Sequence, residues 1–379
     1  MLKIASPAAV GLDPSRWQHA LDLAEGWCLR DDVPAIGLIV GRSEKTTGVQ
    51  LFGRQGVDPT SPPLCDDAIF LVASITKPIV ATGILLLVEQ GKLLLSDRVA
   101  DYLPEFGRTG KYGITVRHLL THTSGLPDML PDNLQLRRAH APFETFIEDI
   151  CTAETAFAPG RGTQYQSMGF ALLGEIIHRV TGKQHGEFLR EALFEPLEMH
   201  DTVLGAPEDW FVGAEPTVER IAEIRLTKGQ DAGENWHWNS RYWQRFGAPW
   251  GGLLTTPADL ARFAQMMLND GRVGETQLLA KATVDAATCN QLNYFHELPE
   301  SERRCRPWGF GWRLRWPAES ASFGDLLGPN AYGHWGSTGT LLWIDPDRDA
   351  FAVILTTQPQ DPHGRYLASL SNAIVAALG

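Results

Sequence analysis

The chain has 379 residues, 44% of them hydrophobic and 21% charged, which suffices for one large globular domain, or two interleaved lobes, with a substantial core. A formal net charge of -12 and the lack of a basic stripe argue against nucleic acid or an anionic membrane as partner. Cys28, Cys65, Cys151, Cys289 and Cys305 are scattered, odd in number and without a Cys-x-x-Cys pair, which argues against a disulfide framework or a zinc ribbon.

In chain order, residues 1–7 lack a sustained apolar run, so no signal peptide is read, and a helix is expected over 14–30 after the start signal at Asp13-Pro14. Residues 35–40 and 48–52 read as strands of a meander. Helical patterns follow over 79–89, 143–151, 168–181, 186–194 and 257–269. A hairpin is expected from 340–344, a turn at 345–349, and 350–357, with a closing helix over 365–378. The chain leaves the sheet early and returns late. The expected fold is therefore α/β (α+β): one antiparallel sheet built from both termini, flanked by terminal helices, with an inserted helical lobe and a site in the cleft between. Residues 1–379 are read as a single domain, with a sheet lobe of about 1–70 and 305–379 and a mainly helical lobe of 71–304. No apolar run reaches membrane-spanning length, and the expectation is a soluble cytoplasmic protein.

The stretch Phe70-Leu71-Val72-Ala73-Ser74-Ile75-Thr76-Lys77 sets a hydroxyl and an amine three residues apart where an apolar helix begins. That spacing puts both side chains on one face. A serine is unreactive until something takes its proton, and a lysine does this once burial and positive neighbours lower its pKa from about 10.4. The unpaired N–H groups at the helix start favour an oxyanion. Ser-x-x-Lys alone has two fixed positions and arises by chance about once in a chain of this length; an N-cap serine with a solvated lysine is ordinary. Its placement between a strand and a very apolar helix favours acyl transfer.

Three further segments bear on the site. In Thr121-His122-Thr123-Ser124-Gly125-Leu126-Pro127 the favoured reading is a turn in which His122 and Ser124 satisfy backbone groups, not a Ser/His pair. The loop at 158–167 delivers Tyr165 and Ser167 ahead of a helix; the phenol is either a packing cap or, if cationic neighbours lower its pKa, a proton shuttle. Gly333-His334-Trp335-Gly336-Ser337-Thr338-Gly339-Thr340 enters the hairpin with small residues that permit close backbone approach. The aromatic run Trp236-His237-Trp238-Asn239, with Tyr242, Trp243 and Trp250, either lines an acyl pocket or packs the helical lobe.

Taken in order, these phrases resemble the serine β-lactamase and penicillin-binding-protein superfamily, nearest its class C β-lactamase and esterase branch, with family VIII-type esterases. The resemblance also runs through Val10-Gly11-Leu12-Asp13, Gly91-Lys92-Leu93, Tyr102-Leu103-Pro104-Glu105-Phe106, Pro159-Gly160, Glu195-Pro196-Leu197-Glu198-Met199, Gly251-Gly252-Leu253 and Asp345-Pro346, nearly the whole chain. It implies a β-lactamase/transpeptidase-like fold. Ser74 would be the acylated nucleophile, Lys77 its proton partner and Tyr165 the second-motif base, the last two acting as a coupled pair. The backbone N–H groups of Ser74 and Ser337 would form the oxyanion hole. Ser167, His334, Trp335 and Gly336 would contact substrate.

Two departures from that pattern matter. Ser167 stands where asparagine is usual, and His334-Trp335-Gly336 replaces the Lys-Thr-Gly whose lysine and threonine hold a penicillin carboxylate. A conditional imidazole and an indole are poor substitutes for a fixed charge. The expectation is a carboxylesterase on small neutral esters working through an acyl-enzyme. D-aminopeptidase or amidase, β-lactamase and biosynthetic acyltransferase activities remain open, as does a catalytically silent binding module. No Gly-x-Ser-x-Gly, His-Glu-x-x-His or Walker pattern occurs, and neither a metal nor a cofactor is expected. The partner is a small ester or amide; oligomeric state is not legible.

Overall fold

The computed structural model describes residues 3–227, 230, 235–315, 321–359 and 364–379. Its main sheet has eight strands: β1 Lys3–Ile4, β2 Ala35–Arg42, β3 Lys45–Thr46, β4 Gln50–Gly53, β5 Arg313–Leu314, β6 Tyr332–Gly336, β7 Thr340–Asp345 and β8 Ala350–Thr356. The order is β1-β3-β2-β8-β7-β6-β5, with β4 also paired to β2. Both termini thus supply one sheet, as expected. It is not wholly antiparallel, because the short edge pair Lys3–Ile4 and Lys45–Thr46 runs parallel. The centre is the expected hairpin, with Asp345 opposite Ala350 and Thr340 opposite Leu355, and β8 carries on against β2 from Ala350–Arg42 to Thr356–Ile36.

Both faces of the central strands are covered, which is why they read as continuous apolar runs. Alternation sorts them. Ile36, Leu38, Val40, Leu341, Trp343, Ala352 and Ile354 pack under the terminal helices α1 (Pro14–Leu29) and α6 (Arg365–Ala377). Ile39, Leu342, Ile344, Phe351, Val353 and Leu355 face the core of the helical lobe. That lobe contains α2 (Thr76–Glu89), α3 (Phe143–Thr152), α4 (Met168–Thr181) and α5 (Pro257–Leu268). The pattern expected over 186–194 resolves into a short α-helix at His185–Leu189 and a wider π turn at Arg190–Phe194. Local signals account for the starts: the Asp13 carboxylate caps α1 by accepting from the Arg16 N–H at 2.9 Å, with Pro14 in the first turn.

A second sheet of three short strands, Phe70–Leu71, Leu253–Thr255 and Val203–Leu204, lies at the start of α2. It joins the segment before Ser74 to the Gly251-Gly252-Leu253 phrase. No helix among the described residues is long and apolar enough to cross a membrane.

Candidate active site

From Phe70–Leu71 the chain turns through Ala73 at φ +46°, makes one 3-10 turn at Ala73–Ile75 and runs into α2. A positive φ is costly for alanine, and the contacts around this turn hold it there. The Val72 N–H donates to the Leu253 carbonyl at 3.0 Å, the Leu253 N–H to Thr76 Oγ1 at 3.0 Å, and the Thr76 hydroxyl to the Ala73 carbonyl at 2.7 Å. Ser74 is left partly exposed between buried neighbours.

The start of the hairpin closes on this turn from the other side. Thr338 Oγ1 donates to the Leu71 carbonyl at 2.7 Å and Thr340 Oγ1 to the Val72 carbonyl at 2.9 Å. A Cβ on Gly336 would stand 2.2 Å from the Val72 oxygen, so only glycine allows β6 this close. Gly339, at φ +89°, has the Gln358 oxygen where a Cβ would sit and makes the tight turn between β6 and β7. These contacts bring the Ser337 backbone to the Ser74 corner. Among the described residues neither the Ser74 nor the Ser337 N–H donates to a protein acceptor. Two uncommitted donors beside a serine hydroxyl could serve as an oxyanion hole.

Lys77 is fully buried, its Nζ 3.1 Å from Ser74 Oγ and 2.8 Å from the Trp250 carbonyl oxygen. The amine lies over the ring of Tyr165 at 4.7 Å and of Phe170 at 5.8 Å. Burial pulls its pKa down to about 7; the Asp128 carboxylate opposes this and the Arg313 cation adds to it. At neutral pH a large fraction is therefore free amine, able to take the serine proton. Tyr165 reaches the same place, with its phenol within hydrogen-bonding reach of Ser74. Burial raises the phenol well above its usual range and outweighs that hydrogen bond and the Arg313 charge, both of which lower it. The depressed pKa that would make Tyr165 a base is thus not what its surroundings produce. It stays a phenol, suited to donating or relaying a proton.

His334 is buried on β6, its ring 6.0 Å from Tyr165 and 6.1 Å from Trp308. Its Nδ1 donates to the Trp335 carbonyl at 2.7 Å, which leaves Nε2 as an unpartnered acceptor. Burial, then the Lys77 and Arg313 charges, hold the imidazole neutral. The conditional cation expected at this position is thus no cation at working pH. The permanent charge nearby is Arg313 on β5, missed in the sequence because β5 becomes a neighbour of β6 only through the fold. Its guanidinium lies 3.3 Å over the Trp335 ring and 5.0 Å over Trp308. Trp335, partly exposed, also meets Phe323 edge-on at 5.6 Å.

Ser167 precedes α4 but does not cap it. Only 2% exposed, it donates from its hydroxyl to Asp128 at 2.7 Å and from its N–H to the Asp128 carbonyl at 3.2 Å. Asp128, likewise missed, thereby joins the second motif. The His122 turn behaves as a turn: Nδ1 accepts the Gln166 N–H at 3.1 Å, and Ser124 Oγ accepts the Leu126 N–H at 3.1 Å and bonds the Gln166 amide oxygen. His122 also packs 4.8 Å from Tyr165, so this turn fixes both ring and backbone of the second motif. Trp236, Trp243 and Trp250 are buried against one another, Phe246 and Arg137, which makes them packing residues. Trp250 also reaches the site through its carbonyl oxygen, which accepts from Lys77. No group of three or more metal-ligating side chains occurs among the described residues.

The family model for Beta-lactamase matches residues 22–376. Penicillin-binding protein 4 of Amycolatopsis lactamdurans is 31% identical over 362 residues, covering 91% of this chain and 85% of that protein. A penicillin-binding-protein homologue from Caulobacter crescentus shares the fold with a TM-score of 0.79 at 22% identity, over 97% of this chain and 99% of that one. A family VIII carboxylesterase superimposes with a TM-score of 0.74 at 20% identity, over 96% and 98% of the two chains. With a match over nearly the whole chain, around a buried lysine set against a serine at a helix start, this protein belongs to the Beta-lactamase family and is a serine hydrolase.

Proposed function

We propose that the protein is a carboxylesterase acting on small esters that carry no negative charge, through an acyl-enzyme on Ser74. The observation that carries this reading is the third motif: the side chain in the place of a carboxylate-binding lysine is a buried, neutral His334. The Asp128 carboxylate, whose field reaches Lys77 and Tyr165, adds repulsion for anions.

In this scheme neutral Lys77 accepts the Ser74 proton as Oγ attacks the ester carbonyl, and the N–H groups of Ser74 and Ser337 take up the oxyanion charge. Collapse breaks the bond to the alcohol, whose oxygen receives a proton from the Lys77–Tyr165 pair. Water then attacks the acyl-enzyme by the same route in reverse. Tyr165 enters as a phenol and leaves as one, relaying the proton without carrying charge.

The test is a side-by-side panel of p-nitrophenyl esters, D-amino acid amides and nitrocefin. In this panel the p-nitrophenyl esters should show the highest kcat/KM. A higher kcat/KM for nitrocefin than for any ester would overturn the assignment and return His334 to a carboxylate-binding role.

A further inference from the structure

We infer that Asp128 is a substrate-recognition residue, and that the esters this enzyme prefers carry an ammonium group close to the scissile carbonyl. The inference rests on the esterase reading and sharpens its substrate class.

Asp128 follows the buried turn that ends in Leu126 and is partly exposed. Two hydrogen bonds from Ser167 hold it, one to its carboxylate at 2.7 Å and one to its carbonyl at 3.2 Å. Ser167 is two residues beyond Tyr165, so the carboxylate is fixed to the same rigid piece of backbone as the phenol. Among the described residues no lysine, arginine or histidine makes an ion pair with Asp128. Arg137, a cation whose charge the Asp128 carboxylate favours, is stacked on Trp236 at 4.7 Å and on Trp243 at 4.4 Å.

Such a carboxylate works against the reaction unless something answers its charge. Its field raises the pKa of Lys77, which hinders release of the lysine proton, and that of Tyr165. An apolar or amide side chain at 128 would leave more of Lys77 as free amine at neutral pH. A substrate ammonium seated on Asp128 removes that opposition at the moment of reaction: the ion pair neutralises the carboxylate and lets Lys77 give up its proton more readily. Binding and the share of Lys77 present as free amine then rise together, and only for substrates that bring the charge. Ser167 in place of the usual asparagine suits this arrangement, because its single short hydroxyl is turned to Asp128 and orients one oxygen of a partly exposed carboxylate.

Alanine benzyl ester, propionate benzyl ester and N-acetylalanine benzyl ester separate charge from size. The wild-type enzyme should favour alanine benzyl ester over the other two by about tenfold in kcat/KM, mostly through KM, with the ratio shrinking as salt is added. In Asp128→Asn the ratio should fall to near one, and in Asp128→Glu it should largely persist. A wild-type ratio near one, or a ratio that survives in Asp128→Asn, overturns the inference. So does a lower Tm in Asp128→Asn with an unchanged ratio, which would show that the carboxylate only balances Arg137. If propionate benzyl ester is cleaved and the ammonium gives no advantage, the inference alone fails; if none of the three is cleaved and nitrocefin is, the esterase reading fails with it.

Discussion

Lys77 and Lys111 are both removed from water, and their surroundings treat them in opposite ways. Lys111 closes the turn Gly107–Lys111, and its ammonium meets three oxygens: Thr109 Oγ1 at 2.6 Å, the Cys151 carbonyl at 2.8 Å and the Ala153 carbonyl at 2.8 Å. Three donors find three acceptors, and the turn is tied to the end of α3. Lys77 finds one carbonyl and one hydroxyl, with aromatic faces beside them. Burial lowers the pKa of both, and for Lys77 it reaches about 7. A buried lysine becomes a base when its acceptors are too few to hold the ammonium and one of them is a nucleophile; with a full set it is a strut.

The sharpest way to break this contrast is to remove each amine in turn. Lys77→Met should lower kcat/KM for an ester by a hundred- to ten-thousand-fold, with Tm unchanged or raised because a costly buried group is gone. Lys111→Met should leave kcat/KM nearly untouched and lower stability by about 1–3 kcal/mol, as three buried oxygens lose their partner. Ester assays and urea unfolding of both variants decide it. Similar losses of activity from the two would erase the distinction.

A smaller effect sharpens it. The folded pKa of Lys77 lies near 7 and its ordinary value is 10.5, so the base form fades as pH falls below about 7. There kcat/KM should drop by about tenfold per pH unit, and it should level off above. The sign for stability is the reverse of the usual salt-bridge case. Between about 7 and 10.5 the unfolded chain binds a proton that the folded chain does not, so the Lys77 contribution to stability rises with pH across that window. Lys77→Met should remove that slope, and Lys111→Met should not flatten the kcat/KM profile. A wild-type profile that is flat from about pH 6 to 8 would mean Lys77 is not the titrating base.

The sheet, the hairpin and most helices were legible because each rests on local signals: alternation in β7 and β8, the Asp13-Pro14 start of α1, the apolar run of α2. The serine–lysine spacing was legible for the same reason, since one helical turn determines it. What was not legible depends on distant partners. The Trp250 carbonyl lies 173 positions from Lys77 and is an unmarked backbone atom. Arg313 matters because β5 pairs with β6, and Asp128 because Ser167 reaches back 39 positions to it. The conditional charge read at His334, and the condition that cationic neighbours lower the Tyr165 pKa, both turn on burial, which the sequence does not show. Residue type suggests a proton affinity, but burial sets it, and burial here pushes both groups to their neutral forms.

The proposed mechanism puts the acyl group on Ser74 Oγ, and peptide mapping after treatment with a fluorophosphonate reads that directly. The wild-type enzyme should carry one adduct, on the peptide containing Ser74, with esterase activity lost in step. Ser74→Ala should fold with an unchanged Tm, take up no label and form no acyl-enzyme with a slow ester. An adduct on another serine, or one that persists in Ser74→Ala, would rule out Ser74 as the nucleophile.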